Sequence, residues 1–249
     1  MNQQLPSYVR NKGTISETYK TSGSYGQFLN ECRLDAWRFA LAKHAIDVGG
    51  LLVDFGCSYG SWVQNWRELG FSKVVGFDVN EAVIDEARTN LGVAEVGDSA
   101  TLRRANLLPR VIAMNGVIVH VLERQEEINI LHDLGAALAE GGTLIFSVLR
   151  AEYYWAAPNG FAPSMGENSC TQTLDFHLEC SREAGLLVKD VLGTFINPWF
   201  TPQTLYTASD GELLLDAELY KGLQLAARAL RRRGYKDPFS EVLLVCKRA

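Results

Sequence analysis

Residues 53–60 read Val53-Asp54-Phe55-Gly56-Cys57-Ser58-Tyr59-Gly60, a short apolar run set directly against a glycine turn and the start of a helical pattern. Such a junction fits the point where a buried strand hands over to a helix. Glycine permits positive φ and close approach to the backbone, and the helix start offers N–H groups that no intrahelical carbonyl uses. The flanking sequence repeats the theme. Leu51–Phe55, Lys73–Phe77, Ala94–Val96, Val111–Met114, Thr143–Val148, Leu186–Leu192 and Glu241–Cys246 read as strands. Between them run helical patterns, at about 27–46, 61–69, 80–90, 123–140 and 171–184. Near-continuous apolar strands separated by helices predict a parallel sheet covered on both faces, an α/β doubly wound fold. Right-handed crossovers then bring the strands' carboxyl ends to one edge, where ligands bind in such sheets.

A second feature sharpens the first. Asp78 ends the second strand, 22 residues after Gly56, a spacing at which a carboxylate can accept both ribose hydroxyls of an adenosine-type cofactor. The glycines alone are equally consistent with a plain tight turn, and Asp78 with a cap before Asn80-Glu81. The dinucleotide fingerprint G-x-G-x-x-G is absent, since Gly56 opens G-C-S-Y-G. Asp54 would also set an anion against a pyrophosphate. It suits a ligand with an ammonium and a sulfonium, which points to S-adenosyl-L-methionine and leaves a nicotinamide dehydrogenase a distant reading.

On these residues the chain resembles the class I S-adenosylmethionine-dependent methyltransferases. Asp54-x-Gly56-Cys57-Ser58-x-Gly60 looks like their first motif, with Ser58 in place of the commonest middle glycine. Gly76-Phe77-Asp78, Gly97-Asp98, Asn115 to His120 and Ala139 to Leu144 are similar to the motifs that follow, in the family's order. Val119 stands where many relatives have Glu before the His. The resemblance implies a mostly parallel seven-stranded sheet, its last strand antiparallel. It also implies roles: Asp54, Gly56, Cys57, Ser58 and Gly60 around the methionine end, Asp78 with Val79 at the ribose, Asp98 with Ser99 at the adenine. Asn115 and Gly116 would lie beside the methionine part. The residues themselves leave other readings open: Asp54 as a strand-end carboxylate paired with a base, and Gly97-Asp98-Ser99 as a turn or N-cap.

Methyl transfer from a sulfonium needs an aligned acceptor and, for a hydroxyl or ammonium, a base. Of His44, His120, His132 and His177, His120 follows the fourth strand at the ligand edge and is the candidate base, unless it only packs or caps the next helix. The acceptor side is expected in two lid segments, 149–171 and 193–240, within a single domain that begins with a polar mobile arm over 1–30. These segments hold Tyr153, Tyr154, Trp155, Phe161, Phe195, Trp199, Phe200 and Tyr206. Aromatics with polar tips suit a planar or sugar-like small acceptor, or they simply pack the lid. A helix expected over 210–233 ends in Arg228, Arg231, Arg232 and Arg233, either a phosphate patch or cations at a helix C-terminus.

Charge decides between partner classes. The net charge is −5 and the isoelectric point is near 5.5, which argues against wholesale nucleic-acid binding. Five scattered cysteines without a C-x-x-C pair, and a polar N-terminus without a signal-peptide pattern, fit a reducing, cytoplasmic setting with no membrane span and no metal site. The expected function is therefore a small-molecule methyltransferase. The alternatives are RNA or protein as acceptor, and a catalytically silent cofactor-binding partner.

Overall fold

The computed structural model describes residues 24–154, 171–197, 207–209, 212–214 and 217–249. In chain order the elements are α1 (Ser24–Lys43), β1 (Leu51–Phe55), α2 (Val63–Glu68), β2 (Lys73–Asp78), α3 (Glu81–Leu91), β3 (Ala94–Val96), α4 (Ser99–Ala105) and β4 (Val111–Met114). A 3₁₀ turn at Ile118–His120 follows. Then come α5 (Arg124–Ala137), β5 (Thr143–Leu149), α6 (Ala151–Tyr154), α7 (Leu174–Glu183), β6 (Leu186–Gly193), a hairpin of β7 (Thr207–Ser209) and β8 (Glu212–Leu214), α8 (Ala217–Arg232) and β9 (Glu241–Arg248).

Seven strands form one sheet in the order β3-β2-β1-β4-β5-β9-β6, with β9 antiparallel to both neighbours. Along each strand successive side chains face opposite layers. Val111 and Ala113 of β4 pack with Trp37, Trp66 and Phe71 from the α1–α2 side, whereas Ile112 and Met114 pack with Leu102, Leu131 and Leu134 from the α4–α5 side. The same alternation carries Asp54 of β1 to the tryptophan side, between Val53 and Phe55, which belong to the other layer. Local signals stop and start the helices as their chemistry requires. The Asn80 side chain accepts from Ala82 N–H to cap α3, Gly92 (φ 89°) ends it, and Thr173 caps α7 by accepting from Phe176 N–H.

Three differences from the sequence reading have physical causes. The arm expected over 1–30 is already helical from Ser24, because Phe28 is buried, stacked on Tyr220 (centroids 4.8 Å, 27°) and edge-on to Phe195 (6.4 Å). Helix α4 and β7 are additional, and β8 takes Glu212–Leu214 from the helix expected over 210–233, which starts only at Ala217. Seven residues with one buried apolar side chain, Leu102, carry too little period to be read from the sequence. The arginine cluster of α8 is turned inward at two positions. Arg228 makes a bidentate pair with Asp35 of α1, and buried Arg231 donates to the carbonyls of Gly193 and Thr194. Arg232 and Arg233 are exposed. Trp155, Phe161, Trp199, Phe200 and Tyr206 lie outside the described residues, as does the side chain of Tyr154.

Candidate functional site

The glycine loop is built by hydrogen bonds from both sides. Gly56 and Cys57 N–H both donate to the Phe77 carbonyl at the end of β2 (2.7 and 3.1 Å), and Gly60 N–H closes a turn on Cys57 O (2.9 Å). Gly56 (φ 78°) and Gly60 (φ 73°) occupy the left-handed region. Ser58 lies there too, at φ 50°, so the chain keeps a glycine conformation where it has no glycine. What holds it is Asp78, whose Oδ2 accepts from Ser58 N–H at 2.9 Å. A left-handed non-glycine residue costs about 1–2 kcal/mol, of which glycine's greater freedom when unfolded cancels part. Ser58→Gly is therefore expected to stabilise the fold by ~0.5–1 kcal/mol and to leave affinity for S-adenosylhomocysteine intact. Urea unfolding and calorimetry measure both, and a lost affinity would show that the hydroxyl is needed.

A Cβ placed on Gly56 would lie 2.2 Å from Cγ2 of Val117, so the loop passes directly against the segment that follows β4. Asp54 pairs in register with Ala113, which brings Asn115 beside Gly56 across the strand ends. Gly116 (φ 68°) is fixed by its N–H donating to Ser147 Oγ of β5 (2.9 Å). His120 closes the 3₁₀ turn three residues beyond Val117, half-buried, its N–H on Val117 O. The structure thus gathers Asp54, the 56–60 loop, Asp78 and Asn115–His120 at one edge of β1, β2 and β4.

The acids differ in environment. Asp78 is half-buried, each carboxylate oxygen accepting one backbone N–H, from Ser58 and from Asn80 (2.9 and 2.8 Å). Each carboxylate oxygen has two lone-pair sites and can accept from more than one donor. Asn80, not Asp78, caps α3. Val79 beside it is half-buried. Asp98 caps α4, its Oδ1 accepting from Thr101 N–H and Oγ1 (2.8 and 2.7 Å), which leaves Oδ2 available. Ser99 donates its hydroxyl to Asp133 of α5 (3.1 Å), so its backbone N–H is the donor that remains for an adenine.

Asp54 is the most buried. Its neighbour is no cation but the Trp66 indole, which donates to Oδ2 at 2.8 Å. Burial lifts its carboxyl to about 7; the Trp66 hydrogen bond opposes the rise and the charge of Asp78 adds to it. Burial likewise pushes the Cys57 thiol far up, so it stays neutral. Across the loop, Trp37 Nε1 donates to Asn115 Oδ1 at 3.0 Å, and Asn115 Nδ2 is buried with no partner among the described residues. Trp37 and Trp66 stand out as functional-site neighbours that spacing does not reveal.

These residues fit an S-adenosylmethionine cofactor. A loop too tight for a Cβ, a half-buried carboxylate at the end of β2 and a buried amide donor form a cradle that suits a nucleoside joined to an amino acid. No group of three metal-ligating side chains occurs among the described residues.

At the carboxyl end of β5, Arg150 follows the strand and is almost fully buried. Its Nη1 donates to Asp237 Oδ1 (2.9 Å) and to Lys236 O (2.7 Å), with the Tyr153 ring 4.6 Å from the guanidinium carbon. Tyr153 hydrogen-bonds Asp237, whose carboxyl the Arg150 contact holds below the usual range. No helix among the described residues is long and apolar enough to cross a membrane.

Comparison with known proteins agrees with this geometry. A family model described as a methyltransferase domain matches residues 28–188. Curated relatives include the ribosomal protein L11 methyltransferases of Halalkalibacterium halodurans (29% identical over 105 residues) and Thermotoga neapolitana (28% over 105 residues). The match takes in 42% of this chain and 34% and 39% of theirs, so it spans little more than a third of those proteins. Solved structures of like fold include the magnesium protoporphyrin IX methyltransferase of Synechocystis with bound S-adenosylhomocysteine (TM-score 0.60, 13% identity, 96% of each chain). A second is a Haloferax volcanii methyltransferase in complex with a methyltransferase activator (TM-score 0.61, 16% identity, 98% and 99% covered). With its sheet order, its glycine loop and a matching domain over most of its length, the chain belongs to the class I S-adenosylmethionine-dependent methyltransferases.

Proposed function

We propose that this methyltransferase acts on a small molecule that carries a planar or sugar-like group, in the cytoplasm. The observation that carries the reading is the Arg150–Tyr153–Asp237 cluster at the carboxyl edge of β5: an aromatic face beside an ordered cation and an exposed carboxylate. Two of the four arginines that would serve an RNA acceptor are engaged elsewhere, Arg228 on Asp35 and Arg231 on backbone carbonyls. The match to the L11 methyltransferases takes in 105 residues, 42% of this chain and about a third of those proteins, and a shared domain does not carry the acceptor with it.

When bound, S-adenosylmethionine supplies a methyl group on a sulfonium that leaves without activation. The chain's task is holding and orienting. In this reading Asp54, Gly56, Cys57, Ser58, Gly60, Asn115 and Gly116 hold the methionine end, Asp78 and Val79 the ribose, and Asp98 with the Ser99 backbone the adenine. Tyr153, Tyr154, Trp155 and Trp199 are assigned to the acceptor. His120 takes the proton of a hydroxyl or ammonium acceptor, from a turn that abuts the loop through Val117.

Calorimetry with S-adenosylhomocysteine on wild type and Asp78→Ala tests the cofactor half. The variant should bind about 1.5–3 kcal/mol more weakly, since hydrogen bonds to a charged group are lost. Unchanged binding would remove Asp78 from the ribose. Radiolabelled methyl transfer to pools of small hydroxylated and amine metabolites, to ribosomal protein L11 and to total RNA tests the acceptor half. Turnover confined to L11 or RNA would overturn the small-molecule reading.

A further inference from the structure

Two of the polar side chains beside the glycine loop are not held by the loop at all. Among the described residues the Asp54 carboxylate takes its hydrogen bond from Trp66 of α2, and the Asn115 side chain takes its own from Trp37 of α1. The two indoles touch each other edge to face, centroids 4.8 Å apart at 82°, and both are fully buried. Trp62 and Phe71 pack around Trp66 (5.0 and 6.2 Å), so the pair has little room to move. Asp54, Trp66, Trp37 and Asn115 therefore form one continuous path that crosses the layer behind β1 and β4 and returns to the site.

An indole N–H only donates. Facing Trp37, the Asn115 carboxamide must present Oδ1, and its Nδ2 is thereby turned away as a donor. That nitrogen is buried and has no acceptor among the described residues, beside a loop that cradles an amino-acid group. Facing Trp66, Asp54 gains a partner that favours its carboxylate over its acid without adding a charge of its own. The site is thus given one directed donor and one anion, which match the carboxylate and ammonium of a methionine end.

We propose that Trp37 and Trp66 are positioning residues of the cofactor site: a rigid indole pair that sets the direction of the Asn115 amide and favours the carboxylate form of Asp54 that meets the ligand's ammonium. The inference rests on the cofactor reading given above. The ionisable groups that act on Asp54 are Asp78 on β2, which opposes its charge, and Cys57 in the loop, which is neutral. Trp66 is the group that counters burial.

The test is calorimetric binding of S-adenosylhomocysteine between pH 6 and 8.5 on wild type, Trp66→Phe, Trp37→Phe and, as a folding-safe control, Asp54→Asn. Phenylalanine keeps most of the aromatic packing and removes only the N–H. Wild-type affinity should fall as the pH drops through about 7. In Trp66→Phe that midpoint should move up by about one pH unit, with binding roughly fivefold weaker at pH 7 and close to wild type at pH 8.5. Asp54→Asn should bind weakly and with no midpoint in this range. Trp37→Phe should lose affinity by a similar factor at every pH, since a freed amide does not titrate. Recovery of Trp66→Phe at high pH separates positioning from damaged packing, which pH does not repair. A midpoint identical in Trp66→Phe and wild type, or full affinity in Trp37→Phe, overturns the inference and leaves the cofactor site standing. A wild-type protein that does not bind S-adenosylhomocysteine at all defeats the cofactor reading itself.

Discussion

Replacing Asp54 by asparagine is expected to make the folded protein more stable above neutral pH while it weakens cofactor binding. The carboxyl is buried with a single neutral donor, and its folded pKa is about 7 against an ordinary 3.8. Between these values the folded chain holds a proton that the unfolded chain has released, so stability falls as pH rises through the window and levels off above it. Asparagine accepts the same Trp66 hydrogen bond with no charge to desolvate. At about 1.4 kcal/mol per pH unit, the roughly three-unit shift is worth up to ~4 kcal/mol to the variant above pH 7 and almost nothing near pH 4. Urea unfolding of both proteins at intervals from pH 4 to 8.5 measures this directly. A stability difference that does not change with pH would refute the burial account of Asp54. A gain in stability coupled to a loss of ligand would mean that the fold carries a charge it does not need for itself, as binding sites do.

Much of the architecture was legible because buried parallel strands write themselves as short apolar runs. Val111–Met114 and Thr143–Val148 stand out for this reason, and Asn80 and Gly92 punctuate a helix by ordinary capping chemistry, whereas the helix expected from 171 begins only after the Thr173 cap. The loop and Asp78 were legible because their spacing along the chain reflects one strand–helix–strand unit. The supports of Asp54 and Asn115 were not. Trp62 and Trp66, four apart, read only as one face of a helix, and nothing in the sequence ties Trp37 to Asn115, 78 residues away. Their contacts exist only once the α1–α2 layer is folded against the sheet. The arginines of α8 show the same limit. Neither a phosphate patch nor a helix-end charge effect anticipates that Arg231 would be buried on the Gly193 and Thr194 carbonyls, because the acceptors come from the end of β6.

The sharpest expected loss is at Gly56. Alanine there must hold φ near 78°, which costs about 1–2 kcal/mol, and its methyl would lie 2.2 Å from Val117 Cγ2, an overlap worth a further ~1–3 kcal/mol. The strain falls on the loop tied to Phe77 O and, through Val117, on the turn that carries His120. Gly56→Ala should therefore bind S-adenosylhomocysteine at least about a hundredfold more weakly, or unfold at markedly lower urea, since the loop can escape the overlap only by breaking those bonds. The two costs can be separated. Val117→Ala alone removes a half-buried pair of methyl groups and should cost ~1 kcal/mol or less of stability. In the double variant Gly56→Ala/Val117→Ala the overlap is gone and only the backbone cost remains, so affinity and stability should recover part of the way, with a coupling of about 1–3 kcal/mol. A double variant no better than Gly56→Ala would place the whole effect in the backbone. A Gly56→Ala protein that binds like wild type would mean that the contact between the loop and the segment after β4 is looser than its geometry states, and the tight cradle would lose its basis.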